Sequence, residues 1–272
     1  MLMKNRLHRQ AKIIEFIQSN KAINIGDLCK DLGVSSMTIR RDLNDLDREG
    51  LVLRTHGGAI LGNKDNEPSY VKRSFTKREE KIEIGITAAR VVENGDVIAI
   101  DAGSTPLEVA RCLDENIDIT VVTNFLPAAL TLSKKRNIKV FLLGGILRKE
   151  ELSLVGDSAI EAIRNFKIDK YFMGISAVSK ERELMDFDPA EVAVKRAIMK
   201  AASYIFLVAD HSKFFRSAPT LVAPISTVQE VVTDPKIHPD QLMILEDEGI
   251  KITLSNKAVK WGHPFDKHPK SL

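Results

Sequence analysis

The stretch from Leu32 to Leu43 reads LGVSSMTIRRDL, and its pattern predicts the turn and second helix of a helix-turn-helix. Gly33 supplies the tight turn that such motifs often contain, and Ser35 or Ser36 can cap the next helix through its hydroxyl. The apolar residues of that helix are spaced four and three apart, so they form one buried stripe. This stripe comprises Ile39, Leu43 and Leu46.

The opposite face of this helix carries side chains suited to the major groove of DNA. At about 100° per residue, Met37, Arg41 and Asn44 lie opposite the apolar stripe, with Arg40 on its flank. Arginine can bind guanine through two hydrogen bonds, and asparagine can bind adenine in the same way. Alternatively, Arg40 and Arg41 are solvated charges on the outer face of an ordinary amphipathic helix.

The neighbouring segments favour a DNA-binding unit over an ordinary amphipathic helix. Apolar periodicity predicts one helix from about Leu7 to Ser19 and another over residues 23–32. Residues 49–50 read Glu-Gly, a helix stop, and residues 51–59 read LVLRTHGGA, which predicts two short strands beside a glycine turn. Three helices and a basic wing predict a winged helix that binds double-stranded DNA. A non-DNA interaction module is the alternative.

The excess positive charge is concentrated in this N-terminal part. Residues 1–62 contain ten Lys or Arg and seven Asp or Glu, whereas the remaining residues contain thirty of each. The net charge of +3 is therefore carried by the predicted DNA-binding unit. A local positive balance of this kind favours binding to phosphates.

Composition limits the class of protein. With 272 residues, 44% of them hydrophobic, the chain can form two globular domains. It has no apolar run long enough for a membrane span and no signal-peptide pattern, so we expect a cytoplasmic protein. We expect Cys29 and Cys112 to be reduced thiols that form no zinc site, and we expect no metal and no cofactor.

Four regions are expected along the chain. A polar stretch with Pro and Gly interrupts the apolar periodicity after about residue 61, which indicates a linker. We predict a winged helix-turn-helix domain over 1–60, a linker over 61–74, an effector-binding α/β domain over 75–258 and a C-terminal tail over 259–272.

The second domain is predicted to be a mainly parallel α/β fold. Apolar strands alternate with helical patterns, which indicates a parallel sheet covered on both faces. Ligands of such sheets bind beyond the carboxyl ends of the strands. Small, polar or charged residues follow five of the strands; after one strand they would indicate only a turn, but five at one edge indicate a binding site. The strands are expected at 97–100, 119–122, 139–143, 170–173, 204–208, 228–232 and 251–254.

The step Gly103-Ser104-Thr105-Pro106 predicts a phosphate cradle. Pro106 suits the first position of a helix, and Thr105 and Glu108 are spaced as a capping box. A helix beginning here would direct free N–H groups and its positive dipole end at an anion. The sequence lacks the Gly-Lys-Ser/Thr ending of a P-loop and the dinucleotide-binding fingerprint. The alternative is a plain helix cap beside a structural glycine.

Two further charged groups are candidates for a site. Asp210 and Lys213 follow a predicted strand and could contact sugar hydroxyls and a phosphate, or form a surface ion pair. Glu191 and Lys195 are four residues apart, a spacing that also suits a pair on a helix surface.

The same motifs resemble the DeoR family of transcriptional regulators over nearly the whole chain. The N-terminal resemblance rests on IRRDL at 39–43, followed by Leu46, Gly50, Arg54 and HGGA at 56–59. The C-terminal motifs occur in the family's order. They are DAGST at 101–105, VTN at 122–124, LGGILR at 143–148, GIS at 174–176 and VADHSKF at 208–214.

This resemblance implies two sets of site residues. It implies a sensor fold similar to ribose-5-phosphate isomerase and CoA transferases, which binds a phosphorylated sugar or polyol, with Lys195 and Lys81 as weaker candidates. The DNA-facing candidates are Ser35, Ser36, Thr38, Arg40, Arg41, Asn44, Arg54 and His56. The effector-binding candidates are Asp101, Gly103, Ser104, Thr105, Asn124, Gly144, Gly145, Lys195, Asp210 and Lys213.

The chain is thus expected to be a repressor of a sugar or polyol catabolic operon, a homodimer or homotetramer, and not an enzyme. The alternative is a phosphosugar isomerase-like enzyme with an appended helical domain. It would need a general base, and the basic N-terminal unit would have no role in it. A nucleotide-binding regulator without sugar specificity is a third possibility. The available bases are Asp101, Asp186, Asp188, Glu191 and Asp210.

Overall fold

The structure is a computed structural model that describes residues 2–20, 22–48, 51–55, 57–61 and 69–256. His56, residues 62–68 of the predicted linker and the predicted tail lie outside these ranges. In the described part of the chain, no helix combines the length and the apolar composition that a membrane crossing requires.

The N-terminal unit consists of three helices and a small sheet. Its core is a cluster of fully buried aliphatic side chains to which α1, α2 and α3 all contribute, among them Ile13, Leu28 and Leu43. Gly33 ends α2 in the left-handed conformation (φ 63°), as the predicted turn requires. The elements are α1 (Leu2–Asn20), β1 (Ala22–Asn24), α2 (Ile25–Leu32), α3 (Ser36–Arg48), β2 (Val52–Arg54) and β3 (Gly58–Leu61).

The expectation of one helix over 23–32 is wrong at its start. Residues 22–24 form β1, and α2 begins only at Ile25 because the Asn24 side chain caps it, accepting a hydrogen bond from the Asp27 N–H at 2.8 Å. β1 pairs antiparallel with β3, so the wing sheet has the order β1-β3-β2. Gly58 permits this pairing, since a Cβ there would lie 1.8 Å from the carbonyl oxygen of Ile23.

The second unit is built on a seven-stranded sheet. Helices and strands alternate along most of it. Its helices are α4 (Tyr70–Arg73), α5 (Arg78–Ala89), α6 (Ser104–Cys112), α7 (Leu126–Leu132), α8 (Asp157–Ile163), α9 (Pro189–Ala201) and α10 (Pro239–Asp247). Its strands are β4 (Val97–Ile100), β5 (Ile119–Thr123), β6 (Ile138–Leu142), β7 (Ile146–Arg148), β8 (Ser153–Val155), β9 (Ile168–Met173), β10 (Ala177–Val178), β11 (Glu183–Asp186), β12 (Ala202–Val208), β13 (Thr220–Pro224), β14 (Glu230–Thr233) and β15 (Lys251–Leu254).

The predicted α/β fold class is confirmed. The seven strands lie in the order β15-β14-β12-β9-β4-β5-β6, and every neighbouring pair is parallel. Successive residues of β4 point to opposite faces: Ile98 packs with α5, α6 and α7, and Ala99 packs with α8, α9 and α10. Burial on both faces explains why the strands appear in the sequence as continuous apolar runs.

The sequence does not predict two small antiparallel sheets of the second unit. The β7–β8 hairpin and the β10-β11-β13 sheet lie outside the main sheet and are made of strands of two to five residues. In the second of these sheets, β11 ends at Asp186. Asp188 then caps α9, because its side chain accepts a hydrogen bond from the Ala190 N–H at 2.8 Å. Asp186 and Asp188 therefore lie at the end of a strand and at the start of a helix, respectively.

Candidate DNA-binding surface and effector site

The polar face of α3 is exposed as the sequence predicts. Ser36, Arg40 and Arg41 lie in solvent, and Met37 beside them is 68% exposed. Ser35 precedes the helix and caps it, since its Oγ accepts from the Thr38 N–H at 3.3 Å. These residues therefore form one continuous surface on the outside of the N-terminal unit.

The remaining predicted DNA contacts connect α3 with the wing. Arg54 of β2 donates through Nη1 to the amide oxygen of Asn44. Its backbone N–H donates to Asp47 Oδ1 at 3.1 Å. Asn44 and Arg54 thus lie side by side where α3 meets the wing, while the predicted contact His56 lies outside the described residues.

Buried charge fixes α3 against α1. Arg9 Nη2 donates to Asp42 Oδ1 at 3.1 Å, and the carboxylate of Asp42 is 1% exposed. Arg6 pairs with Asp45 one turn further along α3. A displacement of α1 would therefore shift α3 and change the position of its exposed face.

A pocket opens beyond the carboxyl ends of β4 and β9. Its wall combines the start of α6 with the loop after β9, one side chain from β11, one from α9 and two cations. The lining residues are Arg73, Ala102, Gly103, Ser104, Thr105, Pro106, Gly174, Ile175, Ser176, Asp186, Glu191 and Lys213.

The start of α6 faces this pocket, although its geometry differs from the expectation. The helix begins at Ser104 with Gly103 as its N-cap, so Pro106 is not its first residue. The predicted capping box is absent, because Gly103 offers no side-chain cap and Glu108 instead pairs with Arg111. The first N–H groups of a helix have no acceptor within the helix, and Ser104 and Thr105, the first two residues of α6, line the pocket.

A buried ionic network supports the pocket from behind. Lys195 contacts the carboxylate of Asp101, lies 3.5 Å from Asp186 Oδ2 and donates to the Gly174 carbonyl at 2.8 Å. Asp101 in turn accepts from the Gly174 N–H at 3.0 Å. Burial alone would lower the pKa of Lys195, but the charges of Asp101 and Asp186 raise it above its usual range. Lys195 therefore positions pocket residues instead of forming a surface pair with Glu191.

A second group of charges lies around Asp210. Burial alone would raise the pKa of Asp210, but the charges of Lys81 and Lys213 lower it below its usual range. Burial lowers the pKa of Lys81 to about 7. Lys81 Nζ donates to the carbonyl oxygens of Arg73 and Thr76 at 2.6 and 2.7 Å. Of this group, Lys213 lines the pocket.

The low pKa of Lys81 predicts a pH dependence of stability. Because this pKa is about 7 in the folded protein and 10.5 for a lysine in its usual range, the unfolded chain binds more protons between these values, and stability rises with pH. We expect the free energy of unfolding to rise by about 1 kcal/mol more between pH 7 and 8 in the wild type than in Lys81→Met. Urea titrations of both proteins measure this difference, and identical pH profiles would contradict it.

Six of the ten predicted effector contacts do not line the pocket. Asp101, Lys195 and Asp210 belong to the buried charged groups described above, and the other three, Asn124, Gly144 and Gly145, lie at the β7–β8 hairpin. Asn124 Nδ2 donates to the Leu154 carbonyl at 3.1 Å and so holds the β7–β8 hairpin. Gly144 and Gly145 form the turn before this hairpin, where Gly145 has a φ of 135°. The hairpin reaches the pocket wall indirectly, because Arg148 Nη1 lies 2.6 Å from Glu191 Oε1.

Arg73 is a pocket residue that the sequence does not reveal. It falls in the predicted linker, and no local pattern distinguishes it from a solvated charge. In the structure its guanidinium forms a two-pronged ion pair with the buried Glu151. The sequence indicates Asp186 and Glu191 as possible bases of an enzyme, but not as effector contacts. In the described part of the chain, no cluster of His, Cys, Asp and Glu is arranged to hold a metal ion.

Two family models match separate parts of the chain. A DeoR-like helix-turn-helix domain matches residues 9–65. The DeoR C-terminal sensor domain matches residues 76–235. The two matches divide the chain between the winged unit and the α/β unit.

Curated relatives match almost from end to end. The glycerol-3-phosphate regulon repressor of Escherichia coli K12 is 36% identical over 246 residues, which is 90% of this chain and 98% of the relative. The repressor of the same name from Haemophilus influenzae is 34% identical over 258 residues, covering 95% of this chain and all of the relative.

A solved structure matches part of the fold. Ribose-5-phosphate isomerase A of Methanocaldococcus jannaschii has a TM-score of 0.39 and 16% identity over 51% of this chain and 55% of the isomerase. The two relatives are named as repressors, and a helix-turn-helix model matches this chain, which favours a regulator over the isomerase-like enzyme. The chain therefore belongs to the DeoR family of DNA-binding transcriptional regulators.

Proposed function

We propose that this regulator represses a sugar or polyol catabolic operon and that a phosphorylated sugar or polyol in the pocket sets its operator affinity. The observation that carries the proposal is the composition of the pocket wall. N–H donors at the start of α6 and the cations Arg73 and Lys213 suit a phosphate. The carboxylates of Asp186 and Glu191 can accept hydrogen bonds from sugar hydroxyls.

The relatives support the same chemistry. Both relatives described above are named for the glycerol-3-phosphate regulon, and glycerol 3-phosphate is a phosphorylated polyol. We propose that residues 1–60 and 75–258 are separate domains joined by a linker, and that the protein acts on DNA in the cytoplasm.

The switch requires two arrangements of the protein. An effector shifts an equilibrium only if it binds the two states with different affinity. We propose a homodimer or homotetramer, which would present two α3 helices to major grooves about 34 Å apart on one side of the duplex. Ligand binding would then change how well both helices fit the operator at once.

A thermal-shift panel tests the effector class. The compounds are glycerol 3-phosphate, ribose 5-phosphate, fructose 1-phosphate and glucose 6-phosphate, each beside its unphosphorylated form. At about 100 times its Kd, a ligand stabilises the folded protein by about 2.7 kcal/mol. We expect one or a few phosphorylated members to raise the Tm and their unphosphorylated forms to have no effect. A panel without any shift would contradict the proposed effector class.

Replacing Arg41 with alanine tests direct reading of DNA by α3. If Arg41 binds a base edge, its loss weakens binding to the operator duplex by about 1–3 kcal/mol and reduces the discrimination between bases at one position. Fluorescence anisotropy with operator and scrambled duplexes measures both effects. Arg90→Ala is the control, because it removes the same charge from an exposed position at the end of α5. Equal losses in the two variants would show that Arg41 contributes charge alone.

A further inference from the structure

Residues 69–77, the connecting segment, contact the DNA-binding unit on one side. The backbone N–H of Lys77 donates to Glu15 Oε1 of α1 at 3.0 Å. The ring of Phe75 meets His8 of α1 edge to face, with centroids 6.1 Å apart. The helix α4 within this segment also packs against α1. The segment is therefore seated on the helix that positions α3.

The other side of the connecting segment contacts the sensor unit. Arg73 Nη1 and Nη2 lie 3.1 and 2.5 Å from the two carboxylate oxygens of Glu151. The N–H of Tyr70 donates to the same carboxylate at 3.1 Å, and the Tyr70 ring packs edge to face on Phe125. Lys81 of α5 holds two carbonyls of the segment. The buried Glu151 thus fixes α4 to the sensor.

Arg73 also belongs to the pocket wall, where it lies with Ser104 and Lys213. A single side chain is therefore part of the anion-binding wall and part of the segment that contacts α1. Four residues further on, Lys77 has a φ of 51°, in the left-handed region that residues other than glycine rarely adopt. Such a conformation persists only when its surroundings impose it, so a shift of the segment can release it.

We propose that Arg73 senses the phosphate of the effector and that the connecting segment transmits its response to α1 and α3. The guanidinium matches a phosphate as well as a carboxylate, because it presents parallel N–H donors to either. A phosphate at the start of α6 therefore competes with Glu151 for Arg73. As Arg73 turns toward the pocket, α4 moves away from Glu151 and changes the contacts of Phe75 and Lys77 with α1. This inference rests on the proposed function, since it names the route by which that effector acts.

The measured quantity is the coupling factor, the ratio of operator Kd with and without a saturating effector. The probe is the panel member that gives the largest thermal shift, with inorganic phosphate as a second probe. Wild-type coupling is expected between about 5 and 150. For Arg73→Ala we expect a factor below about 2 even at saturation. Lys213→Ala removes another cation of the same wall, so it should weaken effector binding but retain coupling once the pocket is filled.

A second variant acts at the far end of the segment. Glu15→Ala removes the acceptor of the Lys77 N–H, and we expect it to reduce the coupling factor while the thermal shift by the effector stays at the wild-type value. If Arg73→Ala does not fold, the coupling factor of Glu15→Ala tests the inference by itself. Wild-type coupling in both variants would overturn the inference and leave the proposed function intact. If no probe changes operator affinity in the wild type, the proposed function fails and the inference falls with it.

Discussion

Replacing Lys195 with methionine is expected to destabilise the sensor unit by about 3–5 kcal/mol at neutral pH, because the change leaves a buried carboxylate without its cation. Lys195 is 3% exposed, and its Nζ holds Asp101 and the Gly174 carbonyl together. Methionine has a similar length, so the apolar packing of the chain is largely retained. The loss therefore reports the electrostatic role of the ammonium group.

Lys200→Met is the matched control for this prediction. Lys200 lies on the same helix, α9, but its side chain is exposed. We expect the control to remain within about 0.5 kcal/mol of the wild type. Urea unfolding followed by circular dichroism measures both variants. Similar free energies of unfolding for Lys195→Met and Lys200→Met would contradict the prediction, because they would mean that the ionic network behind the pocket contributes little to the stability of the sensor unit.

Replacing Leu43 with alanine is expected to destabilise the N-terminal unit by about 2–5 kcal/mol, through lost burial and the cavity that remains. Leu43 is completely buried in the middle of α3, where the three helices meet. A unit of this size has little stability to spare. We therefore expect operator binding to be lost at a temperature where the sensor unit is still folded and still responds to the effector.

Met37→Ala is the control for Leu43→Ala. Met37 lies on the same helix but is 68% exposed, so its truncation should leave the stability of the N-terminal unit almost unchanged. Differential scanning calorimetry separates the two units if they unfold independently. If Leu43→Ala lowers the transition of the sensor unit equally, the proposal of two separate domains is wrong.

Much of the fold follows from local patterns. The stripe of Ile39, Leu43 and Leu46 has the period of a helix, and the apolar runs of the central strands have the length and composition of buried parallel strands. The sequence does not reveal the three-residue β1, because a strand that short contains too few residues to show an alternation. The pairing of β1 with β3 depends on Gly58, which is distant from β1 in the sequence, so no local pattern indicates it.

The candidate site is less predictable, because tertiary structure decides which strand ends meet. The residues after β4 and β9 line one pocket since these two strands are neighbours in the sheet. Gly144 and Gly145 follow β6 at the edge of the same sheet and lie elsewhere. Arg73 reaches the pocket from a four-residue helix in the predicted linker, and no periodicity or spacing marks it in the sequence.

The most direct measurement is a titration of operator duplex with the protein, with and without the panel compound that raises its Tm. The central claim is that one pocket ligand controls DNA affinity. We expect the phosphorylated compound to change the operator Kd by at least about fivefold, and its unphosphorylated form to leave it unchanged. An operator Kd that stays constant while the compound saturates the thermal shift would contradict the claim.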